Sequence, residues 1–243
     1  MKGTVHAAIG VSVPAGVTLT GAVSIPQGVI MAAVSAGFSL LPDIDSPNSL
    51  ASQAVGPLAH RAVHRVSRAA LTSTSTGRDV SHANWKRINR QDPVHRTLTH
   101  TVLVTLALSA LAYLADTATL GGLVTGLGVF LLWPVYRKKG KVSRRIAMAV
   151  CFLGAVAVSY AAGLYMTPWL MALAVGGGYL SHVIADGCTT SGVPALWPVK
   201  FSGKRWWNFR LLGSYVKSGQ KEEKGPALAV ALAMNGLLLF LTL

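Results

Sequence analysis

Acidic side chains are scarce in this chain: eight Asp and Glu stand against 22 Lys and Arg, a net charge of +14. Charge of either sign is thin, at 12% of 243 residues, where an ordinary soluble domain carries roughly 25%. That excludes an aqueous globular domain. With 51% hydrophobic residues and a mean hydropathy of +0.48, the composition is that of a membrane protein. Cysteine is nearly absent too. Cys151 lies in an apolar run and Cys188 beside a His/Asp motif, a pair without the spacing of a structural disulfide framework. Internal repeats are lacking, and the one low-complexity tract is the Thr/Ser run ending at Gly77. The chain therefore reads as one domain, 1–243.

What is present is a series of apolar runs. Windows of about 17–25 residues place membrane spans near 6–23, 26–41, 99–115, 118–136, 146–164, 167–185 and 226–243. This predicts an all-α fold, a polytopic integral membrane bundle of about six or seven apolar helices. The first run is read as a retained helix, since no clean Ala-x-Ala cleavage site follows it. Most runs are short for a hydrocarbon core of about 30 Å. Tight hairpin turns separate them at Ser24–Gly28, Asp116–Gly122 and Tyr165–Pro168.

The basic residues give the orientation, because Lys and Arg collect in short cytoplasmic loops. All 22 fall at the N-terminus or in the loops 42–98, 137–145 and 186–225, which the span order puts on one face; the three hairpin turns carry none. That face is read as cytoplasmic, in a multi-pass protein of the bacterial cytoplasmic (inner) membrane, with a basic insertion at about 46–91. Topology and anionic headgroups account for the charge, so membrane lipids are expected partners and nucleic acid is not.

On this topology the chemistry-bearing residues converge. His182 and Asp186, at i and i+4, share a helix face and point the same way. Asp43 and Asp45 close the second span in Leu41-Pro42-Asp43-Ile44-Asp45, carboxylates that are costly at the mouth of an apolar helix unless something positive compensates them. Asp92-Pro93-Val94-His95-Arg96-Thr97-Leu98-Thr99-His100 opens the third span, with Asp92 as a possible cap. Five residues apart, His95 and His100 diverge by about 140° on an ideal helix; they reach one site from different sides, or His95 precedes the regular helix. His6 begins the first span. His6, Asp43, Asp45, His95, His100, His182 and Asp186 thus gather at one membrane face, a nitrogen and oxygen donor set suited to zinc, manganese or iron. Such a set also suits two metals about 3.5–4 Å apart, as in phosphate-ester hydrolysis. His60 and His64 sit in an Arg-rich stretch that reads as a helix lying on the headgroups, and His82 has no partner spacing. After Asp186 the Gly- and Pro-rich stretch to Lys200 re-enters the interface. Trp197, Trp206 and Trp207 suit headgroup depth there, and Thr189, Lys200 and Arg96 are candidate contacts for a substrate anion.

The order of an early His, Leu-Pro-Asp-x-Asp, His-Arg-x-x-Thr-His and His-x-x-x-Asp-Gly-x-Thr-x-x-Gly-Val-x-x-Leu-x-Pro, from His6 to Pro198, resembles the YdjM family of bacterial inner-membrane, predicted metal-dependent hydrolases. The 46–91 insertion, lid or surface helix, departs from that pattern. The resemblance implies a divalent metal cofactor, zinc foremost, held by the seven residues above, with Asp43, Asp45 or Asp186 catalytic. It also implies distant similarity to zinc-dependent phospholipase C and P1 nuclease, and hence a lipid or other membrane-associated phosphoester as substrate. A metal-handling or transport protein would instead need polar residues at mid-span and on both faces, and the spans are apolar in the middle, with only Asp116 marking the far side. A non-enzymatic lipid anchor leaves the His/Asp convergence unexplained.

Overall fold

Hydroxyl and proline punctuation sets most helix starts. Ser24 and Gln27 form a capping box ahead of α2 (Ile25–Phe38), with Pro26 in its first turn. Ser49 accepts from the Ser52 amide at 3.0 Å to open α3 (Leu50–Thr74). Thr167 caps α8 (Pro168–Gly187) in the same way, with Pro168 at its first position. The other elements are α1 (Gly3–Leu19), α4 (Gly77–Val80), α5 (Val102–Leu114), α6 (Leu120–Phe130) and α7 (Arg144–Tyr165). Single 3₁₀ segments at Leu41–Asp45 and Leu98–His100 complete the order. The computed structural model describes residues 2–80, 94–115, 120–134 and 143–211. Among these the chain is helical, with only the isolated bridges Val193–Phe209 and Phe201–Lys204 as β-structure.

Among the described residues three stretches can cross a membrane by length and composition: Ile25–Asp45, Arg145–Tyr165 and Pro168–Gly187. Gly3–Leu19 and Val102–Leu114 are shorter apolar helices. The expected turn at Tyr165–Pro168 is Met166 and Thr167 between α7 and α8, whereas the expected turn at Ser24–Gly28 lies in the cap and first turn of α2, the connection from α1 running over Thr20–Ser24. Gln27 Nε2 donates to the Tyr165 carbonyl at 3.0 Å, tying the two together. Hydropathy windows register apolarity and not hydrogen bonding: the 99–115 run is α-helical only from Val102, and within the 118–136 run the helix from Leu120 gives way to a turn after Phe130. The expected last span at 226–243, Asp92, His82 and Asp116 lie outside the described residues.

Helix α2 is central, packing against α1, α6 and α8, with Ile30, Met31, Val34 and Phe38 in the largest apolar cluster. α7 instead presents Val150, Leu153, Val156 and Leu164 outward, all more than half exposed, as a lipid-facing helix does. Two close approaches set the register of the site. A β-carbon on Gly178 of α8 would collide with the Ser35 carbonyl of α2 and stand 2.8 Å from its Cα; one on Gly10 of α1 would stand 2.8 Å from the same carbonyl oxygen. Only glycine lets α1 and α8 close on α2 at this level. One turn further along, His6, Ser39 and His182 meet.

Candidate metal centre

Each arm of the site is delivered by a helix end. The 3₁₀ turn after α2 presents Asp43 and Asp45, the segment before α5 presents His95 and His100, α8 presents His182 and Asp186, and the first turns of α1 present His6. Both histidines ahead of α5 precede the regular helix, which starts at Val102, so they reach the centre without the divergence that a helix would impose.

Two imidazoles are oriented by their Nδ1 atoms. His182 Nδ1 donates to the Ser39 carbonyl at 2.6 Å. Thr99 Oγ1 donates to Asp45 Oδ2 at 2.9 Å, so its oxygen accepts from His100 Nδ1 at 3.0 Å. Such partners fix the tautomer and aim Nε2 at the ligand position. The two Nε2 atoms come within 3.2 Å of each other, lone pair facing lone pair. Asp43 Oδ1 lies 3.5 Å from each, and Asp186 Oδ2 lies 3.6 Å from His100 Nε2 and 3.7 Å from His182 Nε2. All four donors fall within 4.8 Å of one another.

This arrangement fits a cation. A tetrahedral ion with ligands at about 2.0–2.2 Å has donor–donor edges of about 3.3–3.6 Å, and the five edges above run from 3.2 to 3.7 Å. The charge fits as well. His100, His182 and Asp186 are at most 1% exposed and Asp43 is 18% exposed. With the imidazoles neutral, as ligation requires, one ion-paired guanidinium, Arg96, does not balance the carboxylates of Asp43, Asp45 and Asp186. Uncompensated buried carboxylates are costly, whereas a bound cation removes that cost.

The other expected site residues surround these four. His6 stacks on His182 with ring centroids 3.7 Å apart, and its Nε2 lies 3.4 Å from Asp186 Oδ1. Among the described residues neither of its buried ring nitrogens has a hydrogen-bond partner. Asp45 is fully buried and receives His95 Nδ1 at 2.9 Å on its other oxygen. That leaves His95 Nε2 at the rim, 3.9 Å from Asp43 Oδ1, on a side chain 29% exposed. Arg96, at a positive φ of 62°, puts Nη2 2.9 Å from Asp186 Oδ2 and donates from Nη1 to Thr189 Oγ1 at 2.8 Å. Thr189 is fully buried and donates to the Asp186 carbonyl at 2.7 Å. Lys200 is exposed on the loop beyond. Two supporting residues had no role in the sequence reading. Thr99 was visible only as the residue before His100; Tyr179, whose hydroxyl donates to the Thr99 carbonyl at 2.5 Å, shares the α8 face of His182 at i and i+3.

Helices carrying an inward-facing, cation-fitting His/Asp cluster at their ends define an integral membrane protein with a candidate metal centre. The model of the YdjM inner membrane protein family matches residues 1–242, and the chain belongs to that family. Neither curated proteins nor solved structures gave a match.

Proposed function

We propose that the chain is a metal-dependent hydrolase acting at the cytoplasmic face of the inner membrane on a phosphoester of a lipid or another membrane-associated substrate. The observation that carries this reading is the set of four donors, Asp43, His100, His182 and Asp186, all within 4.8 Å of one another and with five of their six edges at 3.2–3.7 Å. Zinc is the preferred ion: magnesium asks for octahedral oxygen ligation at about 2.0–2.1 Å, and two imidazoles in a tetrahedral spacing favour zinc. Zinc expands to a fifth ligand in catalytic sites, so an ion held by these four donors would still admit a water or a phosphoryl oxygen, and it would supply Lewis acidity and lower the pKa of that water.

The chain's own groups do the rest. Ser39 and Thr99 hold the two imidazoles in the ligating tautomer. Arg96, with two terminal nitrogens turned to Asp186 and Thr189, keeps Asp186 aimed. His95, held by buried Asp45 through Nδ1, presents Nε2 at the rim as the proton acceptor from an attacking water. Asp45 therefore acts through His95, and Lys200 is left as the cation for the substrate phosphate. The one-sided distribution of basic loops supports the cytoplasmic orientation. The test is phosphoester hydrolysis by the reconstituted protein with phospholipids as substrates. Cleavage that stops on chelation and returns with zinc is expected; cleavage indifferent to chelation, or its absence from every phosphoester offered to a metal-loaded preparation, contradicts the proposal.

A further inference from the structure

Helix α3 has no acidic residue over its whole length, Leu50–Thr74. It bends at Gly56 (φ 85°) and Pro57 and then runs regularly. At 100° per residue, Leu58, Arg61, Arg65, Val66, Arg68 and Ala69 occupy one outward face about 160° wide, and all six are exposed. Leu58 is 79% and Val66 60% exposed, whereas Ser67 and Leu71, on the opposite side, are buried. The sequence thus sets bare aliphatic groups among arginines, which lowers the solubility of this face in water and suits a boundary between apolar and anionic layers.

A second exposed apolar group adjoins it. Leu196, Val199 and Phe201 are each at least half exposed around Lys200. Their loop is fastened to the end of α3: Trp197 Nε1 and Trp206 Nε1 both donate to Thr74 Oγ1, at 3.3 and 3.1 Å, and Arg205 Nη1 donates to the Thr74 carbonyl at 3.3 Å. The buried Asp79 carboxylate is taken up by the Thr76, Arg205 and Trp206 amides and does not offset the surface charge.

We propose that this surface docks on the anionic phospholipid headgroups of the membrane that holds the chain, with Leu58, Val66 and the Leu196–Phe201 loop at the headgroup–acyl boundary and Arg61, Arg65 and Arg68 on lipid phosphates. Charge complementarity selects an anionic leaflet; the aliphatic groups between the arginines select a lipid surface over a nucleic acid, whose recognition uses polar and stacking contacts. Docking also bears on the candidate metal centre. His60 Nδ1 donates to the Ile44 carbonyl at 2.8 Å, and Leu50 and Ala51 pack with Leu40 and Ile44. The helix seated on the headgroups therefore grips the segment that carries Asp43 and Asp45. The proposal stands whether or not the centre is hydrolytic.

The experiment uses the full chain in nanodiscs of phosphatidylcholine alone or with phosphatidylglycerol. Leu58→Cys is labelled with an environment-sensitive fluorophore, Cys151 and Cys188 being buried. The expected result is blue-shifted emission, quenched by brominated lipid, in the phosphatidylglycerol discs and weakened by salt. Each arginine replaced by Gln lowers the docked-to-undocked ratio about fivefold. The salt titration on the label-bearing chain with all three arginines intact decides the matter if the triple variant R61Q/R65Q/R68Q does not fold. A label that stays in water in both discs, a response equal in the two lipids and insensitive to salt, or a label shielded by oligonucleotide instead of lipid overturns the proposal.

Discussion

Thr99 joins the two layers of the site, because its hydroxyl donates to Asp45 and accepts from His100. Thr99→Val leaves the shape and removes both bonds. The expected outcome is a divalent-ion affinity lowered by about 10–100-fold in a chelator-competition titration, with helicity by circular dichroism retained. His95→Gln is expected to leave the ion bound and to lower turnover on the order of 10²–10⁴-fold; loss of the ion in that variant would make His95 a ligand. Asp79 supplies a pH dependence outside the spans. Burial raises its pKa, but the Thr76 amide and hydroxyl and the Arg205 and Trp206 amides prevail and hold it below the ordinary carboxylate value. Its contribution is therefore complete above the unfolded value of about 3.9 and is lost as pH falls through the folded value. Thermal unfolding of the natural chain should accordingly lose stability on acidification across this range, and Asp79→Asn should lose less. The seven His and Asp residues were legible from residue type and topology. Ser39 was not, since a carbonyl that orients a histidine has no side-chain signature.

At the scale of elements, helix-to-helix distance decides whether the ligands meet. Gly178 and Gly10 let α8 and α1 close on Ser35, one turn before His182 and His6 come together. Gly178→Ala is expected to destabilise the fold by about 1–3 kcal/mol and to weaken ion binding with it, read by thermal unfolding and ion titration of the same detergent-solubilised protein. Unchanged stability would show that the two helices have room to spare. The helix starts at Ser24 and Thr167 were legible as turn punctuation, because capping and proline preferences are local. The 3₁₀ segments that carry Asp43, Asp45 and His100 were not, since their conformation depends on α3 and α8 packed around them. The 46–91 insertion was left open between lid and surface helix. Over Leu50–Thr74 it is a helix gripping the Leu41–Asp45 segment, and the Ile44 carbonyl that accepts from His60 is invisible to pattern reading.

In the whole molecule, apolar helices meet the bilayer while a few costly groups are concentrated at their ends. Eight acidic residues serve 243, and Asp43, Asp45 and Asp186 stand together. Family membership, the all-α fold and the convergence of ligand types followed from composition and motif order; the division into four converging donors and a surrounding His6, Asp45 and His95 needed distances. The central claim is that Asp43, His100, His182 and Asp186 hold a divalent cation. Elemental analysis of the detergent-purified chain beside its Asp186→Ala, His182→Ala and His95→Ala variants tests it most directly. The account predicts a stoichiometric divalent ion in the natural chain, retained in His95→Ala and lost from Asp186→Ala and His182→Ala. A natural chain without bound metal, or equal metal content in all four proteins, would contradict it.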